Sequence, residues 1–510
     1  YAIIKNRILE RIYFCMKSIK INALAYVGIR ILNTIFPLLT GTYVARVLDK
    51  SYYGYFNSVD TILSFFLPFA TYGVYSYGLR AISNVKNNKD KVNKAFSQLF
   101  YLCIGCTILT TLVYLVAYPL FFENNPVLKK VYLVMSIQLV AQIFSIEWVN
   151  EALENYDFLF YKTAFIRVLM LASIFIFIKN EKDIIPYTLI MSLATLINYI
   201  ISYFWIKKDI KLVKVSLKEF KPLFIPLTAM LIFSSANMLF TFLDRLFLVK
   251  AGEELYVTYY TMAQRIVGVV TGVVTGAVSV SLPRLNYYLG IGDKDAYTSL
   301  VNRGSRIFMF LIIPISLGLT VLGTETILLY GSEKYVGGGI LTSLFAFRFI
   351  FLALDIILGS QIIFANGFEK KLTLFTVLSG LLNIILNSVL FFNKVTAPEF
   401  YLLTTMVSEA ILLITYVIFI KKKQLISLKY IFSYTLKYFM ISLTFIPIYF
   451  IINYIHPTEM KITLDLIINI SAVIFLSVIS YCAFLIATKD EIFYEFLGYA
   501  KKLKDKFSRI

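Results

Sequence analysis

Residues 339 to 366 read GILTSLFAFRFIFLALDIILGSQIIFAN, an almost unbroken apolar run that carries only two charges, Arg348 and Asp355. A hydrocarbon core about 30 Å thick needs roughly 20 apolar residues wound as a helix, because in lipid every backbone polar group must be satisfied within the segment. The run therefore reads as a transmembrane helix. It is one of many: breaking the chain at charge, Pro, Asn and Gly gives fourteen candidate spans. They lie near 20–45, 53–79, 95–122, 127–150, 158–178, 184–206, 222–249, 255–283, 304–330, 339–366, 372–392, 398–420, 430–453 and 462–488.

The composition agrees, with 59% apolar and 15% charged side chains and a mean hydropathy of +0.76 over 510 residues. The expected fold class is an all-α polytopic membrane protein. Residues 1–20 are basic and amphipathic without a small-residue cleavage site, so the first span is expected to remain as a helix.

A formal charge of +19 suggests nucleic acid in a soluble protein. In a membrane protein it must be read loop by loop, since Lys and Arg are retained on the cytoplasmic side. With an inside N-terminus, the inner segments and span ends hold roughly three times as many Lys and Arg as the outer ones, in keeping with the positive-inside rule. Lys207, Lys208, Lys211, Lys214, Lys218 and Lys221 share one inner loop, and Lys421 to Lys423 share another. A multi-pass plasma-membrane protein with both termini in the cytoplasm follows, its positive charge facing anionic lipid heads rather than nucleic acid.

Shifting the sequence by about 204 residues places Tyr55 on Tyr259 and Arg80 on Arg284, and one step more places Lys89 and Asp90 on Lys294 and Asp295. Further on the offset is about 212, where Asn155, Tyr156 and Asp157 meet Gly367, Phe368 and Glu369. The pattern implies a duplicated six-span unit: a lobe at 1–210, a second at 211–421, and an added helix pair with a basic tail at 422–510. Two parallel lobes joined by a Lys-rich loop are expected to rock about a central cleft. Gly268, Gly272 and Gly276 repeat every fourth residue, which predicts close helix packing, with a hinge as the alternative.

All but four of the 49 basic residues fall in loops or at span ends. Arg30, Arg167, Arg265 and Arg348 lie well inside spans, where an Arg costs about 2.5 to 3.5 kcal/mol even on insertion scales and must face water, a partner or a ligand. Arg348 and Asp355, seven apart, share one helix face, where they either neutralise each other or serve a ligand and an ion. Arg167 has no acid one turn away and is expected to pair across helices or to snorkel. Arg30 and Arg265 fall in opposite halves, so the duplication places them on the two walls of the cleft. A guanidinium is always charged and presents a planar fork that matches phosphate oxygens in pairs, which points to a pyrophosphate guest. Asp60 falls one place from Arg265 under the shift and, with Asp355, is a candidate for binding a proton or cation. Glu147 and Glu409 are weaker candidates of the same kind.

Other chemistry finds no footing. Cys103 and Cys106 form a C-x-x-C inside an apolar span, outside the strand-to-helix context of redox motifs, and the single histidine, His456, has no second imidazole for a metal. No phosphate-binding loop occurs, so direct use of ATP is not expected and no cofactor is implied. The outer loops are too short to hold the catalytic acids of a membrane glycosyltransferase or polymerase.

Several short motifs occur in a fixed order: Tyr77 to Arg80, Leu243 to Arg245, Tyr260 to Arg265, Leu282 to Arg284 and Asn366 to Lys370. In this the chain resembles the Wzx-type polysaccharide flippases, relatives of the lipid II flippases and the MATE drug exporters. The resemblance implies an undecaprenyl-pyrophosphate-linked oligosaccharide as cargo, a cationic cavity between two six-helix lobes, and rocking between inward-open and outward-open states. It also implies substrate contacts from Arg30 and Arg265 and a groove for the lipid tail formed by the last two helices; Arg348 is a further candidate cavity residue, and a monomer working beside glycosyltransferases and a polymerase is expected. Coupling to a proton or sodium gradient through Asp60 or Asp355 is expected. The competing reading is a MATE-like drug or metabolite cation antiporter, and a membrane transferase or polymerase is the third.

Overall fold

In the computed structural model, residues 19–122, 125–235, 238, 240–279 and 282–498 are described, and among these no strand occurs. Tyr1 to Ile19 and the basic tail beyond 498 lie almost wholly outside that description. The chain divides into two compact units, Tyr1–Ser235 and Ala236–Ile510.

The first unit contains α1 (Ile19–Val47), α2 (Lys50–Thr71), α3 (Val74–Val85), α4 (Lys89–Phe121), α5 (Pro126–Ala141), α6 (Glu147–Ala152), α7 (Tyr156–Phe177), α8 (Ile184–Lys207) and α9 (Lys221–Ser235). The second contains α10 (Thr241–Lys250), α11 (Glu254–Ser279), α12 (Leu282–Gly290), α13 (Lys294–Val321), α14 (Gly323–Gly331), α15 (Gly339–Asp355), a π-helical segment (Ile356–Phe364), α16 (Glu369–Phe392), α17 (Pro398–Lys422), α18 (Lys429–Ser442), α19 (Phe445–Ile455) and α20 (Leu464–Ala487).

Twelve of the described helical segments are long and apolar enough to cross a membrane, against fourteen expected. The difference lies at the seventh and eighth spans. The seventh divides into α9 and α10 on either side of residues 236–240. The eighth is α11, a helix of 26 residues, most of whose side chains beyond Val270 lie outside the described ones.

The duplication appears in the helix starts. Lys50 and Glu254, Lys89 and Lys294, Tyr156 and Glu369, and Ile184 and Pro398 open equivalent helices, at offsets that drift from about 204 to about 214. The caps repeat too: the Asn88 side chain accepts from the Lys91 amide at 3.1 Å, and Asp293 accepts from the Ala296 amide at 2.9 Å, each satisfying a donor orphaned at a helix start. Packing follows the same plan, since α5 lies on α8 and α7 on α8, as α15 lies on α17 and α16 on α17. The added pair docks through α18 on α13, with α19 against α20.

Inside each unit the helices are held by aromatics that bring their own hydrogen bonds. Tyr114 and Tyr132 stack at 4.0 Å, and each donates its hydroxyl to the other's backbone carbonyl, so two large side chains are buried with no polar atom unpaired. Trp148 lies so close to Gly78 that a Cβ there would come within 2.5 Å of the indole. This explains the glycine of the Tyr77–Arg80 motif.

Two irregularities break the helical ladders. The second span is interrupted by consecutive left-handed residues, Tyr72 (φ 46°) and Gly73 (φ 72°), which end α2 and start α3. Gly73 packs against the backbone of α9, where a Cβ would meet the Leu227 carbonyl oxygen at 2.7 Å. In the tenth span, the π-helical turns after Asp355 loosen the ladder, and the Tyr297 hydroxyl donates to the Gln361 carbonyl at 3.0 Å while accepting from Asn366 at 2.9 Å.

Candidate functional site

Each unit encloses a polar cavity, and the charges that a lipid environment would reject gather around them. The cavity of the N-terminal unit, about 240 Å³, lies among α1, α6, α7 and α8, with Asn33, Glu147, Glu151, Arg167 and Asn198 among its walls. Arg167 stands on α7 and donates to the Asn33 side-chain carbonyl at 3.1 Å, its other neighbour being the Met170 sulfur at 4.0 Å. It makes no ion pair with any described residue. The expectation that Arg167 pairs across helices holds, but its partner is neutral.

Glu147 takes a cation that sequence reading assigned to a span end. Lys162, on α7 and only 6% exposed, donates to Glu147 at 2.5 Å, to the Ser202 hydroxyl at 2.7 Å and to the Asn198 carbonyl at 3.2 Å, filling all three ammonium donors. Glu151, one turn beyond Glu147, accepts from the Tyr75 hydroxyl at 2.5 Å. The sequence held no signal for Lys162, since four residues inside the expected span 158–178 a lysine reads as interfacial.

Arg30 is exposed on α1. Its guanidinium donates to the Tyr26 hydroxyl at 2.6 Å and lies 4.9 Å from the centre of that ring, and no described carboxylate pairs with it. Tyr26 itself lines the N-terminal cavity, and Arg30 is near enough to Glu151 to interact with it electrostatically. Asp60 is half-buried on α2, away from that lining.

The cavity of the C-terminal unit is larger, about 510 Å³, with Thr241, Gln264, Arg348, Asp355, Thr376 and Glu409 among its polar walls. Here the expected pairing is corrected. Arg348 does not join Asp355 but grips Glu409 of α17 at two points, Nε to Oε2 at 2.8 Å and Nη2 to Oε1. Both side chains are under a tenth exposed. Glu409 sits at the middle of α17 rather than near a helix end, and its register against α15, invisible in one dimension, decides the pairing. Asp355 lies two turns along the same wall and accepts from the Tyr416 hydroxyl. The cavity thus carries one cation and two acids.

Gly268 and Gly272 also line this cavity, and a Cβ added at Gly268 would meet nothing within 4 Å. The small residue at Gly268 leaves space instead of admitting a neighbouring helix, contrary to the packing expectation; the surroundings of Gly276 fall outside the described side chains. Arg265 is half-buried on the same helix.

A second buried polar cluster was legible only as a motif. Asp244 on α10 is fully buried, and both its oxygens accept: Oδ1 from Asn383 at 3.1 Å and Asn387 at 2.6 Å of α16, Oδ2 from Thr405 of α17 at 2.6 Å and from the Tyr260 hydroxyl. Four elements are tied to one carboxyl group. The Leu243–Arg245 and Tyr260–Arg265 motifs meet here, which gives their fixed order a physical reason.

The chain was compared with known proteins. A protein assigned as an O-antigen transporter in Shigella dysenteriae is 22% identical over 368 residues, which is 68% of this chain and 87% of that protein. One with the same assignment in Escherichia coli strain K12 is 27% identical over 173 residues, 33% of this chain and 41% of that protein. Among solved structures, the lipid II flippase MurJ in an inward closed conformation superimposes with a TM-score of 0.67 at 16% identity, over 92% of this chain and 99% of its own. An inward-facing multidrug resistance MATE family transporter of the MOP superfamily does so with a TM-score of 0.56 at 12% identity, over 78% and 98%. These two likenesses are of fold. The sequence also matches, over residues 19–288, the model of the family described as polysaccharide biosynthesis protein, and the chain belongs to that family.

Proposed function

We propose that this multi-pass membrane protein is a flippase that moves an undecaprenyl-pyrophosphate-linked oligosaccharide from the cytoplasmic to the outer leaflet by alternating access, for assembly of a surface polysaccharide. Family membership, relatives assigned to O-antigen transport and a fold like that of a lipid II flippase all support the reading. The observation that carries it is Arg30, an exposed guanidinium inside a transmembrane helix with a tyrosine and no described carboxylate as its partner. A permanent cation in that setting is stabilised by an anionic guest, and a diphosphate matches its paired donors. Arg265, half-buried on α11, is the second candidate for contact with the diphosphate, whereas Arg348, already gripped by Glu409, serves the shape of its cavity.

Energy comes from an ion gradient through acids buried or half-buried within the spans. Asp355, the acid left over beside the Arg348–Glu409 pair, is the first candidate and Asp60 the second. The excess of acid in this cavity is also the one feature that favours cation export, so the two readings need separating by experiment. Arg30→Ala should abolish surface display of the polymer at unchanged protein level, with no change in resistance to cationic drugs. Normal display together with drug sensitivity would replace the flippase by an antiporter.

A further inference from the structure

Tyr26 both lines the N-terminal cavity and accepts a hydrogen bond from the exposed Arg30, and the chemistry of that cavity differs from that of a phosphate site. We infer that it is a carbohydrate subsite that holds one glycosyl residue of the cargo. The inference rests on the lipid-linked sugar reading above and gives a place to the part of the substrate that the arginine does not touch.

Size sets the first bound. About 240 Å³ is below the range of roughly 300 to 1,000 Å³ that takes drug-sized ligands, and corresponds to about eight waters at 30 Å³ each. A single pyranose ring with its hydroxyls fits; a repeat unit of several sugars does not.

Chemistry sets the second. Glu147 and Glu151 use one carboxylate oxygen each in the contacts described, the first for Lys162 and Asn198 and the second for Tyr75, leaving acceptor capacity at both. Arg167 commits one of its donors to Asn33, and a guanidinium has five. The cavity therefore offers unused donors and unused acceptors side by side. A phosphate, which only accepts, would meet two carboxylates. A metal ion would meet Arg167 and, behind Glu147, the Lys162 ammonium. A hydrocarbon tail would leave every one of these groups unsatisfied. A sugar hydroxyl donates to a carboxylate while accepting from a guanidinium, and the ring's apolar faces suit Leu159, Ile166, Met170 and Met191, which complete the walls.

Position sets the third. Tyr26 lines the cavity with one side of its contacts and holds Arg30 with its hydroxyl, so a diphosphate on Arg30 would place the sugar bonded to it at the cavity's edge.

The full chain in nanodiscs should be titrated with undecaprenyl diphosphate and with undecaprenyl-diphosphoryl-N-acetylglucosamine, and separately examined by saturation-transfer NMR with methyl glycosides of hexoses and N-acetylhexosamines. Arg167→Gln, and as a second variant the cavity-filling Thr195→Leu, should weaken the sugar-bearing lipid at least tenfold, leave undecaprenyl diphosphate within twofold, and remove the glycoside signals, at an unchanged melting temperature. Arg30→Ala should weaken both lipids. If neither lipid binds but glycoside signals appear and vanish in both cavity variants, the subsite stands and the diphosphate reading falls. Equal loss of both lipids in the cavity variants, or the absence of signal from every glycoside with the wild-type chain, overturns the subsite.

Discussion

Arg348 and Glu409 form a two-point ion pair between α15 and α17, each side chain under a tenth exposed, while Asp355 on the same wall is left to Tyr416. The geometry makes the pair a tie between two helices and makes Asp355 the free acid of the cavity.

Breaking this pair from one side should cost more than removing it whole. Glu409→Gln leaves a buried guanidinium without its counter-charge, a loss of about 3 to 5 kcal/mol, whereas replacing both residues by leucine is close to neutral in comparable buried pairs. The melting temperature of the purified protein should fall sharply for Glu409→Gln and recover in the Arg348→Leu/Glu409→Leu variant. A double variant no more stable than the single one would mean that Arg348 is held by other groups.

Asp244 should behave as a structural keystone of the C-terminal unit. It receives Asn383, Asn387, Thr405 and Tyr260 together, and an amide in its place turns two acceptor positions into a donor that faces donors. Asp244→Asn is expected to lose about 3 kcal/mol, the worth of one or two charge-assisted hydrogen bonds. Proteolysis of the purified variant should attack α10 first, since the carboxyl group ties this short helix to α11, α16 and α17.

Gly73 tests the break in the second span. Its φ of +72° and the Leu227 carbonyl at 2.7 Å from a prospective Cβ both oppose any side chain, so Gly73→Ala should cost about 1 to 3 kcal/mol. Tyr72, at φ +46°, is strained without being crowded, and Tyr72→Gly should relieve the strain while losing its hydroxyl bond to Thr228 at 2.7 Å. The two variants are expected to shift the melting temperature unequally, Gly73→Ala by far the more.

The fold was legible because lipid imposes one rule on every span, and apolar length, loop charge and a repeat offset are all linear properties of a sequence. The breaks within spans were less legible, since the turn at Tyr72 and Gly73 that divides α2 from α3 lies inside one continuous apolar run. Of the candidate residues, Arg167, Arg348 and Asp355 line cavities and Arg30 stands beside one, while Arg265 and Asp60 are not among the lining residues; their partners were not legible at all. Pairing depends on the rotation and register of one helix against another, so Arg348 was matched to the acid on its own helix when the acid across the interface was nearer. Lys162 was missed for the same reason, since a lysine two turns into a helix looks interfacial until Glu147, Asn198 and Ser202 are seen to surround it.

At the end of α20, Asp490 gathers Lys437 at 2.6 Å and Arg306 at 3.2 Å, with the Tyr438 hydroxyl at 3.2 Å, and so holds the added helix pair against α13. Arg306 also lies 4.1 Å from the centre of the Tyr434 ring and pairs with Glu491 at 2.6 Å. Burial by itself would raise the Asp490 carboxyl, but the hydrogen bond from Lys437 and the charge of Arg306 outweigh it and hold the group below the usual carboxylate range. A depressed carboxyl binds its proton less readily folded than unfolded. Its contribution is therefore fully present above the unfolded value and is lost as pH falls through that value toward the lower, folded one. The melting temperature of the wild-type protein should decline over this acid range, and Asp490→Asn should lie below wild type at neutral pH and converge with it in acid. Parallel curves that never converge would assign the acid sensitivity to other carboxylates and leave Asp490 as a packing contact alone.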